Sequence, residues 1–193
     1  MTRHPLGDGR ALDLDVREAA RPLLAPAVLG RRLTRGEIAS AVDRALTAAG
    51  APQRGLVGLT LADDTTIAEL NAAHMGMAGS TDVLSFPLLP PDAYPSHERG
   101  AAPAEAAAGA AIAFALPPRT RPLLGEIVVS VERAVVQARD GRGGQAGDRR
   151  WDPADEILLL ATHGTLHLCG WDHAEPVEEA AMRQLERELL ELA

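Results

Sequence analysis

The residues whose type and spacing promise chemistry are three histidines, His163, His167 and His173, in the string HGTLHLCGWDH. His163 and His167 are four apart, so a helix sets them on one face about 6 Å apart along its axis. Gly170 allows the chain to leave that helix through a left-handed conformation, and His173 can then fold back to the same point. Neutral imidazoles are good zinc ligands, and three protein ligands leave a coordination place for water or substrate, as in catalytic rather than structural sites. Three of the six histidines fall within eleven residues, which separates this group from histidines scattered over a surface. The expectation is one Zn(2+) per chain, held by His163, His167 and His173.

The spacing equals that of the metzincin metalloproteases, but Gly164 stands where those enzymes carry a glutamate base. Glycine cannot take a proton and is about 1 kcal/mol worse than alanine in a helix, so its use here suggests that a neighbour or substrate approaches closely. Cys169 offers either a fourth, thiolate ligand or a small buried apolar side chain. Asp172 either accepts a hydrogen bond from a ligand imidazole or supports the turn.

The rest of the chain must position this group. It has 193 residues, 46% of them hydrophobic and only 3% aromatic, so the core is aliphatic. All 19 basic residues are arginine, yet the net charge is −8, which excludes broad electrostatic adhesion to nucleic acid and leaves only a local groove or a metal to manage phosphates. The single cysteine excludes an intrachain disulfide. No signal-peptide pattern or membrane-length apolar run is seen, so the expected location is the cytoplasm, with no membrane partner.

Alternating or continuous apolar runs at 12–16, 56–61, 82–86 and 124–131 read as strands, with residues 1–10 a frayed start. Thr34 and Glu37 form a capping box that opens a helix carrying Ile38, Val42 and Leu46. Asp64 caps a shorter helix, another passes through Ala134 and Val135, and Asp152-Pro153 opens the histidine helix. Pro176 opens a last helix whose stripe of Val177, Met182, Leu185 and Leu189 reads as a core face. Residues 88–122, rich in Ala and Pro, read as an insertion. The fold class is α/β (α+β), a small mixed sheet of about four strands covered by helices, in a single metalloprotein domain over residues 1–193.

With these elements placed, the sequence resembles the YbeY family of bacterial endoribonucleases and rRNA maturation factors. HGTLHLCGWDH, ELNAAH (69–74) followed by STDVLSFP (80–87), and LLGEIVVS (123–130) carry the resemblance, which spans most of residues 34–192. It implies a small α/β domain with zinc at a cleft, ligated by His163, His167 and His173. It also implies metal-dependent cleavage of single-stranded RNA, in 16S rRNA 3′-end processing and ribosome quality control, with the small ribosomal subunit as partner.

The departures bear on activity. Met75 stands where the family places a cleft arginine, Ala78 replaces an aspartate, and Glu126 replaces the usual Asp. Methionine cannot imitate the bidentate grip of arginine on phosphate. His74 either takes over that role or is an ordinary helix-end histidine, and Arg139, Arg142, Arg149 and Arg150 are further candidates for phosphate contact. The general base is open among Glu126, Asp172 and His74. Besides the zinc endoribonuclease, two readings remain: a ribosome-assembly binding factor with a metal site but weak or no catalysis, and a metalloprotease.

Overall fold

The computed structural model describes residues 1–90, 93–95, 120–139, 151–171 and 175–191. Its elements run β1 (Thr2–Pro5), β2 (Ala11–Val16), α1 (Pro26–Leu29), α2 (Arg35–Ala48), β3 (Leu56–Ala62), α3 (Asp64–Met75), β4 (Val83–Pro87), β5 (Leu123–Ser130), α4 (Val131–Arg139), α5 (Pro153–Leu168) and α6 (Pro176–Glu191). Among the described residues the strands form one mixed sheet in the order β1-β2-β3-β5-β4. β2, β3 and β5 are parallel, and β1 and β4 are antiparallel edges.

The sheet has one strand more than the apolar pattern suggests. The segment TRHP has no apolar alternation, and only its pairing with β2, Thr2 opposite Leu14 through Pro5 opposite Ala11, makes it a strand. An Arg3–Asp13 pair at 2.6 Å fastens it. The helix starts follow local chemistry. Thr34 and Glu37 form the reciprocal capping box of α2, and Asp152 and Asp155 form another at the start of α5. Arg31 ties the two starts together, donating to Glu37 at 2.6 Å and to Asp155 at 2.9 Å. The cap of α3 is Asp63 rather than Asp64; the Asp64 amide donates to Glu132 at 2.6 Å.

Side chains alternate across a strand, so the register sorts the sheet into two faces. Leu12, Leu14, Val57, Leu59, Leu61, Ile127 and Val129 point to one face and join α2 and α5 in the main core. Val128, Leu84 and Ala62 point to the other, where Ile67 of α3 covers them, with Leu70 and Phe86 packed alongside. Of residues 88–122, which join the neighbouring strands β4 and β5, only 88–90, 93–95 and 120–122 are described; Tyr94 is buried in the main core.

Helix α5 runs through the middle of the main core. Beyond its first residue, only His163 and His167 of this helix escape burial. Two glycines let it lie that close to the sheet. A β-carbon on Gly164 would stand 2.8 Å from Ile127 Cγ2, and one on Gly125 would stand 2.5 Å from Leu168 Cδ2. The neighbour that requires Gly164 is therefore the sheet itself, and Ser85 Oγ donates to the Gly164 carbonyl at 3.0 Å across this contact.

Gly164→Ala tests that packing. Helix propensity favours alanine by about 1 kcal/mol, but overpacking a tight contact costs about 1–3 kcal/mol. The variant should unfold at lower urea than its parent; an unchanged or higher midpoint would show that the contact has room.

Candidate metal centre

α5 ends in a Schellman motif. Cys169 is the C-cap and Gly170 takes φ 84°. The Trp171 amide donates to the Leu166 carbonyl at 3.1 Å, and the Gly170 amide to the His167 carbonyl at 3.1 Å. This turn brings the Trp171 carbonyl back over the helix, where it accepts from His167 Nδ1 at 2.8 Å. A carbonyl only accepts, so Nδ1 carries the proton and the His167 Nε2 lone pair points away from the turn.

His163 is fixed in the same sense from the other side. Its Nδ1 lies 2.6 Å from Oε1 of Glu186, a residue of α6 that is only 3% exposed. With the carboxylate ionised, Nδ1 donates and Nε2 is again the bare nitrogen. The two Nε2 atoms meet at 3.0 Å. Facing lone pairs repel unless something positive lies between them. The separation is a few tenths of an ångström short of the about 3.3 Å that two ligand bonds of about 2.0–2.1 Å subtend at a tetrahedral cation. The pair therefore fits a shared metal ion. His173 and Asp172 lie outside the described residues, and among the described residues no three His, Cys, Asp or Glu groups converge on one point.

The paired nitrogens open into a cleft of about 540 Å³, walled by Met75, by residues 81–85 with Pro87, and by Trp171 and Leu89. Asp82 organises its wall. One carboxylate oxygen accepts from the Val83 amide at 2.9 Å and Thr81 Oγ1 at 3.1 Å, and the other from Gln137 Nε2 at 2.8 Å. Burial opposes the charge on Asp82, but these donors outweigh it and hold its carboxyl below the ordinary range. Asp82 is thus a fixed anion that holds the wall rather than a proton acceptor. Asn71 does similar work at the rim, donating through Nδ2 to the Gly79 carbonyl at 2.9 Å.

Two of the candidate bases sit elsewhere. Glu126 pairs with Phe86 on one side and Gly58 on the other, so it points to the sheet face opposite α5. His74 packs its ring edge-on against Phe86, with centroids 5.3 Å apart, on that same far face. Both are separated from the histidine pair by the sheet. Met75 does line the cleft and is 46% exposed, while Arg139 ends α4 exposed and Arg142, Arg149 and Arg150 lie outside the described residues. Burial pushes the Cys169 thiol up to about 12, so at neutral pH it behaves as a small apolar group. Sequence reasoning missed Glu186, Asp82 and the Trp171 carbonyl. The one signal present was a glutamate spaced four from Met182 and three from Leu189 on an apolar stripe.

This fold and cleft define an α/β protein with a histidine centre on a buried helix. The profile of the family described as Endoribonuclease YbeY matches residues 31–193. A relative named Endoribonuclease YbeY from Symbiobacterium thermophilum is 38% identical over 77% of this chain and 79% of its own length. Another of that name from Salinispora tropica is 41% identical over 76% and 79%. A solution structure, TM1509 from Thermotoga maritima, superposes with a TM-score of 0.49 at 20% identity, covering 93% of this chain and 87% of that one. The chain belongs to the YbeY family.

Glu126→Gln separates the far-face residue from the centre. Glu126 is exposed on β5, yet partial desolvation against the sheet, and then the neighbouring Asp13 charge, raise its carboxyl above its ordinary range. A raised acid destabilises the fold once pH exceeds its folded value, and costs nothing below its unfolded value. The variant should be slightly more stable than its parent at neutral pH, since solvent screens an exposed carboxylate, and the gain should fade on acidification through the carboxylate range. Zinc binding should not change; weakened binding would place Glu126 at the centre after all.

Proposed function

We propose that this chain is a zinc-dependent endoribonuclease that cleaves single-stranded RNA, with His163, His167 and His173 holding one Zn(2+). The observation that carries the reading is the pair of Nε2 atoms aimed at one point inside a solvent-open cleft, in a chain whose relatives are named endoribonucleases. The proposed setting is the cytoplasm, in 16S rRNA 3′-end maturation and ribosome quality control, with the small ribosomal subunit as partner. Among the described residues no helix is long and apolar enough to cross a membrane.

Zinc bound at this point would supply a Lewis acid for a phosphoryl oxygen and an acidified water. The chain's own residues do the rest. The Glu186 and Trp171 acceptors hold both rings with Nε2 toward the cleft. The Trp171 and Met75 side chains give its mouth an apolar lining that suits unstacked bases. Of the candidate bases, Glu126 and His74 occupy the far face of the sheet, and Asp172 lies outside the described residues. The protease reading loses further ground at Gly164, where a glutamate would collide with Ile127, Ser85 and Val83.

One observation favours a second reading, a ribosome-assembly factor with a metal site and little turnover. Met75 lies in the cleft wall where the family resemblance leads one to expect arginine, and it cannot clamp a phosphate.

Cleavage of a single-stranded RNA by purified protein, before and after chelation and again after zinc is restored, tests the first reading. Activity should vanish and return; equal activity throughout would contradict it. A charged hydrogen bond to phosphate is worth about 1.5–3 kcal/mol, so Met75→Arg should speed cleavage by about tenfold or more. If zinc and ribosome binding persist in the parent with no turnover, the second reading holds.

A further inference from the structure

α6 presents an apolar stripe to the core, with Met182 at 1%, Leu189 at 8% and Leu190 at 7% exposure and Leu185 packed alongside. Val177, which the sequence pattern places on that face, is 76% exposed and outside it. In the middle of the stripe stands Glu186, 3% exposed. A carboxylate in such a place is costly unless strong donors satisfy it, so its retention among leucines calls for a function. Its Oε1 lies 2.6 Å from His163 Nδ1, on a helix 23 residues earlier in the chain.

We propose that Glu186 is a positioning residue for the metal centre, acting through His163. The carboxylate fixes the His163 ring with Nδ1 protonated, turns Nε2 toward its partner on His167, and makes that nitrogen a better donor by drawing on the Nδ1 proton. The two rings are held by different kinds of acceptor. His167 is set locally, by the turn that ends its own helix, and His163 is set by a residue 23 positions away. The C-terminal helix is thus part of the metal centre, although it contributes no ligand, and its docking and the aim of His163 are one structural event. The inference rests on the zinc reading above and says which residue of α6 tunes it.

The test compares the full-length parent with Glu186→Gln and Glu186→Met, stripped of metal and titrated with zinc against a chromophoric chelator. Cobalt(II) spectra provide a second readout. Gln keeps an acceptor oxygen and loses the charge, while Met fills the stripe and loses both. Changes to acceptors of this kind lower metal affinity by about 10–100-fold, so Gln should weaken zinc binding by about tenfold and Met by nearer a hundredfold. The cobalt bands should shift while the far-UV circular dichroism of the metal-free proteins stays the same. Should the Met variant fail to fold, the near-isosteric Gln variant decides. Parent and Gln variant binding zinc equally well, with identical cobalt spectra, would overturn the positioning role and leave the zinc reading standing. A parent that binds no zinc would overturn both.

Discussion

Two hydrogen bonds made by ring nitrogens that face away from the cleft set the aim of the histidine pair on which the proposed metal centre depends. The Trp171 carbonyl and the Glu186 carboxylate each accept a hydrogen bond from one Nδ1, leaving the two Nε2 atoms facing each other at 3.0 Å. An imidazole without such a partner can present either nitrogen, and the centre would then be one arrangement among several. Each partner has its own structural cause. The carbonyl is delivered by the left-handed Gly170, and the carboxylate by burial of one face of α6.

The remaining architecture keeps α5 where those partners can reach it. The helix is buried along almost all of its length, so its half-buried imidazoles lie at a break in the core rather than on a surface. Gly164 and Gly125 bring it against the sheet edge, and the Arg31 bridges hold its start beside that of α2. On the cleft's other wall, Asp82 spends its charge on three donors, and Arg133 clamps the approach to β4 by bonding both Asp64 at 3.0 Å and Ser80 at 2.6 Å. One wall of the cleft is thus held by the hydrogen bonds to Asp82, and Met75, Leu89 and Trp171 add apolar surface to its lining.

Features set by a few adjacent residues were legible in the sequence. The capping box at Thr34 and the Asp152 cap need only their own turn, and both stand where the pattern puts them. The Gly170 exit was legible for the same reason. Features set by pairing were not. β1 has no strand pattern of its own and exists because β2 accepts it. Glu126 and His74 sit close in sequence to motifs that line the cleft, but the strand register turns Glu126, and the packing against Phe86 draws His74, to the far face. Glu186 was hidden by the opposite problem, because a glutamate on an amphipathic helix ordinarily faces water, and its partner lies on another element. The need for a small residue at Gly164 was legible, while the identity of its neighbour waited on the helix–sheet contact.

X-ray absorption on zinc-loaded protein tests the central claim most directly, because it reads the atoms around the metal. A shell of nitrogen and oxygen neighbours at about 2.0–2.1 Å with the outer scattering of imidazole rings is the expected result. A sulfur neighbour at about 2.3 Å would bring Cys169 into the coordination sphere, and a spectrum without imidazole scattering would show that His163 and His167 do not meet over a metal at all.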